Sequence, residues 1–254
     1  MTRRAAWRGL VLGISILLCF LRYFLVWIAA LLRGRPVSNR ERARQMSFCG
    51  RLALRAMGIG FRVEGRIPAG ATLIVANHLS YLDIVIGGAA LPCCFVAKRE
   101  IASWPVFGPL GKMGGTIFVD RDSSIRAWET VAEVAARLDE NIPVLFFPEG
   151  TSTDGRELLR FHSALFGPAI DARLQIVPAA ISYETQGRQT ERDLCWFGDE
   201  LFLPHLLRVL DADAFTAVIR FGQPEIHPDR RTAAWRTHDA IEAMRTASQS
   251  LTGA

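Results

Sequence analysis

The sequence predicts an α/β domain with a largely parallel or mixed sheet flanked by helices, preceded by a membrane-anchoring helix or helical hairpin. Three observations lead there. Short, continuously apolar runs such as Leu73–Ala76, Val144–Phe147 and Ile176–Val177 read as strands buried on both faces, as parallel sheets require. Apolar residues at helical spacing follow several of these runs, giving repeated strand–helix units. Ahead of them lies a 23-residue apolar stretch, Leu10–Leu32, broken by one charge, Arg22.

Length and composition fit this reading. A chain of 254 residues builds one large domain with a sizeable core, and 50% of it is hydrophobic. The formal net charge of +5 favours an anionic partner: a membrane surface, a phosphorylated substrate or nucleic acid. Nucleic acid is set aside, because no zinc-finger spacing, RNA-binding signature or basic heptad occurs. The five cysteines, Cys19, Cys49, Cys93, Cys94 and Cys195, are odd in number and include no C-x-x-C pair. They point to small buried hydrophobes in a reducing compartment rather than to disulfides or a metal site.

The elements follow in order. Leu10–Leu32 is long enough to cross a bilayer as a helix. No small-x-small cleavage site follows it, so a removed signal peptide fits poorly. Arg22 near its middle is costly in a bilayer, and both flanks are basic, with Arg3, Arg4 and Arg8 before and Arg33, Arg35 and Arg40 after. A spanning helix and an in-plane hairpin, with Arg22 snorkelling to head groups, both remain open. Residues 1–36 are therefore expected to be the anchor and 37–254 the catalytic domain. Asn39 is read as the cap of an amphipathic helix ending at Gly58-Ile59-Gly60. Strands are expected at Phe61–Glu64, Leu73–Ala76, Phe95–Ala97, Thr116–Val119, Val144–Phe147, Ile176–Val177 and Ala217–Ile219. Helices are expected from Ser80, from Asp122 through Leu138, and from Thr232 to Ser248.

Four motifs carry candidate chemistry. Asn77-His78-Leu-Ser-Tyr-Leu-Asp83 directly follows an apolar strand, where open α/β sheets place their ligands. Five positions on a regular helix give an offset of roughly 140°, so the two side chains meet only if His78 lies in the turn and Asp83 on the helix. Asp83 then fixes the imidazole tautomer and leaves the other nitrogen to take a proton. This is a base and its orienter without a nucleophile of their own, which suits a hydroxyl brought by the substrate. In Gly115–Arg121, Arg121 ends a strand and is placed to hold a phosphate or carboxylate. In Phe147–Thr153, Glu149 is placed to accept from a hydroxyl or to pin Arg121; Gly150 lets the backbone come close, and the Thr151 hydroxyl donates. Val177-Pro178-Ala-Ala says little alone, since Pro after a strand usually marks an edge. No metal is expected, because no partner cluster accompanies His78.

In this order, and behind a lipid anchor, the motifs resemble those of the glycerolipid and lysophospholipid acyltransferase family. Asn77–Asp83 is similar to its N-H-x4-D block, Gly115–Arg121 to its second, Phe147–Thr153 to its E-G-T block and Val177–Ala180 to its fourth. The resemblance implies a single acyltransferase domain in which His78 activates an acceptor hydroxyl and Asp83 orients it. It implies that Arg121 and the loop of Glu149, Gly150 and Thr151 hold the head group of a lysolipid. It also implies an acyl-carrier protein or coenzyme A thioester as donor, no bound cofactor, and a place on the cytoplasmic side of the inner membrane. Ser152 stands where the family often has Arg, and Phe161-His162 where it often has Phe-Lys. Both changes remove a cation expected beside a phosphate, so lyso-ornithine lipid is expected as an alternative to 1-acylglycerol-3-phosphate. The sequence contains no G-x-S-x-G elbow for a serine hydrolase and no phosphate-binding glycine loop for a nucleotide module. A non-catalytic lipid-binding protein is the reading of another class, which intact His78, Asp83 and Glu149 oppose.

Overall fold

A computed structural model describes residues 2–119 and 124–252. In chain order the elements are α1 (Arg3–Leu31), α2 (Asn39–Met57), β1 (Gly60–Glu64), β2 (Thr72–Ala76), α3 (Leu82–Ala90) and β3 (Cys94–Lys98). Next come α4 (Phe107–Met113), β4 (Ile117–Val119), α5 (Ser124–Asp139), β5 (Val144–Phe146) and α6 (Gly167–Asp171). The chain finishes with β6 (Gln175–Glu184), α7 (Phe202–Asp211), β7 (Thr216–Phe221) and α8 (Arg230–Thr252).

All seven strands join one sheet in the order β1-β7-β6-β2-β5-β3-β4. Every neighbouring pair is parallel except β6 with β7, so the sheet is mixed. β2 lies between β6 and β5, in register Leu73↔Ile176 and Leu73↔Val144. Its alternate residues feed two cores. Ile74 and Ala76 meet Leu54 and Met57 of α2, Leu82 and Ile86 of α3 and Val209 of α7. Leu73 and Val75 meet Val134 and Leu138 of α5, Ala169 of α6 and Ile241 of α8. A strand buried on both faces has no polar alternation, which explains the continuous apolar runs.

Local chemistry sets the boundaries. Ser38, not Asn39, caps α2: its hydroxyl accepts from Glu41 N while the Glu41 carboxylate accepts from Ser38 N, a reciprocal capping box. Gly58 ends that helix at φ 68°, a left-handed turn that favours glycine. Pro178 does not mark an edge. It lies inside β6, where its carbonyl accepts from Gly222 N at 2.8 Å, one residue beyond the end of β7. Its missing N–H falls just past the last β6–β7 ladder pair, and the pairing resumes at Ile176 with Glu225.

α1 is a single helix packed against α2 and α7. Small residues Ala5, Ser15, Cys19 and Ala30 form its buried face. Leu10, Ile14, Leu17, Leu21 and Leu25 stand exposed on the other, three or four positions apart. Arg8 donates to the carbonyls of Leu210 and Ala212 at 3.1 and 2.9 Å, satisfying the open C-terminal end of α7. Arg22 does not reach outward as expected. It turns onto α2, bonding the Gln45 side-chain oxygen and lying 4.8 Å from the Phe48 ring centre. A polar partner on the inward face thus meets the charge within the protein. The five cysteines are free; Cys93, Cys94 and Cys195 are buried, and burial pushes their thiols above the ordinary range.

Candidate active site

His78 lies two residues beyond β2, and Asp83 is the second residue of α3. The intervening turn brings them together: His78 Nδ1 is 2.8 Å from Asp83 Oδ2. The same Oδ2 accepts from the backbone N–H of Leu79 at 2.6 Å and of Ser80 at 3.0 Å, so the carboxylate also caps the start of α3. Asp83 is wholly buried, while the His78 side chain keeps 19% of its surface open. A carboxylate on Nδ1 fixes the proton there and leaves Nε2 as the free base. The His78 ring stacks on Phe147, with ring centres 4.2 Å apart and planes 13° from parallel.

Two neighbouring strand ends hold this pair. Asn77 is buried and extends the β2–β6 ladder with its side chain: Oδ1 accepts from Ile181 N at 2.7 Å, and Nδ2 donates to Ile181 O at 3.1 Å. From the end of β5, Glu149 accepts from His78 N at 2.7 Å and from Leu159 N at 3.0 Å. Its carboxylate is buried and clamps the two strand ends together. Burial pushes the Glu149 pKa above its ordinary value, and the two backbone N–H groups oppose that shift. Gly150 turns at φ 78° and Thr151 is exposed. Beyond them, Thr153 N donates to His78 O at 2.9 Å, and the Ser152 hydroxyl donates to Trp196 O. Ser152 is thus tied to backbone, and His162 is exposed. Arg121 lies outside the described residues.

Sequence reasoning missed several supports. Tyr183, on β6, donates its hydroxyl to Asp83 Oδ1, and its backbone N–H donates to Glu191 Oε1 at 2.9 Å. Arg245 of α8, almost wholly buried, donates to Ile181 O at 2.6 Å, Gly155 O at 2.9 Å and Glu191 Oε2 at 2.8 Å. Nothing local marks these residues, because a tyrosine in an apolar strand usually reads as core. Tyr81, three positions after His78, enters an aromatic cluster with Phe107, Trp196 and Phe202, its ring centre 5.0 to 6.4 Å from theirs. Among the described residues, His238, Asp239 and Glu242 approach metal-ligand spacing, but they lie on α8, apart from the four motifs. A cavity of about 480 Å³ beside them, lined by Arg160, Arg231, Trp235 and His238 among others, contains neither His78 nor Asp83.

Known proteins resemble this chain in sequence and in fold. A family model described as Acyltransferase matches residues 58–182. The chain is 32% identical over 224 residues to the lyso-ornithine lipid O-acyltransferase of Brucella abortus (strain 2308), covering 82% of this chain and 84% of that protein. It is 38% identical over 156 residues to the 1-acyl-sn-glycerol-3-phosphate acyltransferase of Neisseria gonorrhoeae, covering 60% of this chain and 61% of the relative. The crystal structure of the 1-acyl-sn-glycerophosphate acyltransferase PlsC from Thermotoga maritima superimposes with a TM-score of 0.68. That match covers 96% of this chain and 98% of the other at 17% identity, a likeness of fold.

Proposed function

The chain belongs to the acyltransferase family, and from that premise we propose that it moves a fatty acyl chain from a thioester onto the free hydroxyl of a lysolipid. The observation that carries the reading is the His78–Asp83 pair at the end of β2, with Nδ1 bound and Nε2 free. Nε2 takes the proton of the acceptor hydroxyl as its oxygen attacks the thioester carbonyl. The tetrahedral intermediate then collapses, the thiolate leaves, and the imidazolium returns the proton to it. Acyl-carrier protein or coenzyme A supplies the thioester, with no bound cofactor. Arg121, Gly150 and the exposed Thr151 hold the head group, while Glu149 sets the position of both His78 and that loop. The aromatic cluster around Tyr81 gives an acyl chain an apolar surface near His78.

We propose attachment to the cytoplasmic side of the inner membrane through α1. That helix is long and apolar enough to cross a bilayer. Crossing, however, would carry α2 with its Arg40, Arg42, Arg44 and Arg51 into hydrocarbon, since the two helices pack together. We therefore favour α1 lying in the plane of the interface, its exposed leucines among the acyl chains.

Lyso-ornithine lipid is the favoured acceptor. The relative of that name spans most of this chain, and Ser152 and His162 replace two cations that a phosphate head group would use. Lysophosphatidic acid is the second reading, supported by the Neisseria relative. Purified enzyme given both acceptors and one thioester donor should consume lyso-ornithine lipid at least as fast, by mass spectrometry. A hundredfold preference in kcat/KM for lysophosphatidic acid, about 2.7 kcal/mol, would overturn it.

Asp83→Asn tests the orienter. Each carboxylate oxygen accepts only donors, so an amide NH2 in either place faces one of them. We expect kcat/KM to fall roughly ten- to a hundredfold, less than on removing the base. The buried mismatch should cost about 1–3 kcal/mol, lowering Tm by roughly 2–10 °C. A variant with unchanged Tm and unchanged rate would refute the assignment.

A further inference from the structure

Asp83 accepts hydrogens on both carboxylate oxygens, and the two sides do different work. Oδ2 takes His78 Nδ1 and the N–H groups of Leu79 and Ser80, all from its own turn. Oδ1 takes the hydroxyl of Tyr183, which arrives from β6, a different element. A donor on Oδ1 draws charge away from the carboxylate, weakening its attraction for a proton on the imidazole. We propose that Tyr183 is a positioning member of this pair: its hydroxyl, by donating to Asp83, holds down the pair's affinity for a proton and sets the lower pH limit of activity. The inference rests on the reading of His78 as the base and deepens it.

Other charges face the same place. Glu149 approaches from the end of β5, Glu191, Cys195 and Asp154 from the loops, and Arg245 from α8. Glu191 is occupied by Arg245 at 2.8 Å and by Tyr183 N at 2.9 Å, which fixes the backbone from which the Tyr183 ring extends. Phe215 packs on that ring, with centres 6.0 Å apart, and holds its direction. Burial first, and the neighbouring Asp83 second, push the Tyr183 phenol well above its ordinary value. It therefore stays a donor throughout the working pH range.

The sign follows. Without the hydroxyl, Asp83 keeps more negative charge, and the pair binds its proton more tightly. A protonated imidazole is no base, so activity fails at a higher pH. Tyr183→Phe should move the acidic limb of the kcat/KM–pH profile upward by roughly half a unit to one unit. At a pH above the limb the rate should remain within about threefold of wild type, because Leu79 N and Ser80 N still orient Asp83. Phe215→Leu serves as the packing control: it loosens the ring but keeps the hydroxyl, and its limb should stay in place. A folded Tyr183→Phe enzyme whose limb does not move overturns the inference, as does an equal shift in Phe215→Leu. His78→Ala, assayed alongside, separates the two levels. If that variant is active, the base assignment itself fails; if it is inactive and the Tyr183→Phe limb is unmoved, only the role of Tyr183 fails.

Discussion

Replacing His78 with alanine should lower kcat/KM by about 10² to 10⁴, the usual effect of removing a general base, on the order of 2.7–5.5 kcal/mol in the barrier. The fold should survive. Asp83 loses one partner but keeps Leu79 N, Ser80 N and the Tyr183 hydroxyl, so no buried charge is stranded. The imidazole is partly exposed, and its stacking on Phe147 is the main packing lost. We expect an unchanged far-ultraviolet circular dichroism spectrum and a stability loss of about 1–2 kcal/mol. None of the other four histidines is expected to take over: His162 is exposed with its backbone N–H on Pro148 O, His205 is buried against Tyr81, and His227 and His238 pair with Glu225 and Asp239. Activity within about tenfold of wild type, measured on protein with native circular dichroism, would exclude His78 as the base.

The second large effect concerns attachment. Leu17 and Leu21 sit one turn apart on the outward face of α1, 71% and 54% exposed. Burying each in lipid contributes roughly 1.5–3 kcal/mol, so Leu17→Glu with Leu21→Glu should weaken partitioning into vesicles by about 10² to 10⁴. Neither side chain supports the core, and activity on detergent-dispersed lysolipid should stay within about threefold. Sedimentation with vesicles containing anionic lipid gives the readout. A double variant that still sediments fully would place the attachment on another surface. Deleting residues 1–34 is a poorer test, because it also removes buried Ala5, Cys19 and Ala30 and uncaps α7 at Arg8.

The sequence made the apolar strands and the two sharp motifs legible for a simple reason. Leu73–Ala76 and Val144–Phe146 are buried on both faces, so burial is written in every residue, and the motifs follow at once. His78 and Asp83 were readable because the turn that joins them is local. Long-range partners were not. The ten-residue β6 was visible only at its start, since Ser182 and Glu184 break the apolar run. Tyr183 and Arg245 reach Asp83 and Gly155 across about 100 and 90 positions of chain, and no spacing rule encodes such a meeting. α7 was also passed over, although Leu203, Leu206, Leu207 and Leu210 carry helical spacing; its proline and histidine obscured the pattern.

The bond from Arg8 to Leu210 joins residues 202 positions apart. During synthesis the part of the inward face of α1 that rests on α7 must wait for it for roughly 10–40 s at 5–20 residues per second. α2 follows at once and covers much of that face, but the outward row of leucines and the stretch around Arg8 stand next to water throughout the interval. The contact that ties the start of α1 to α7 is therefore among the last in the fold to form.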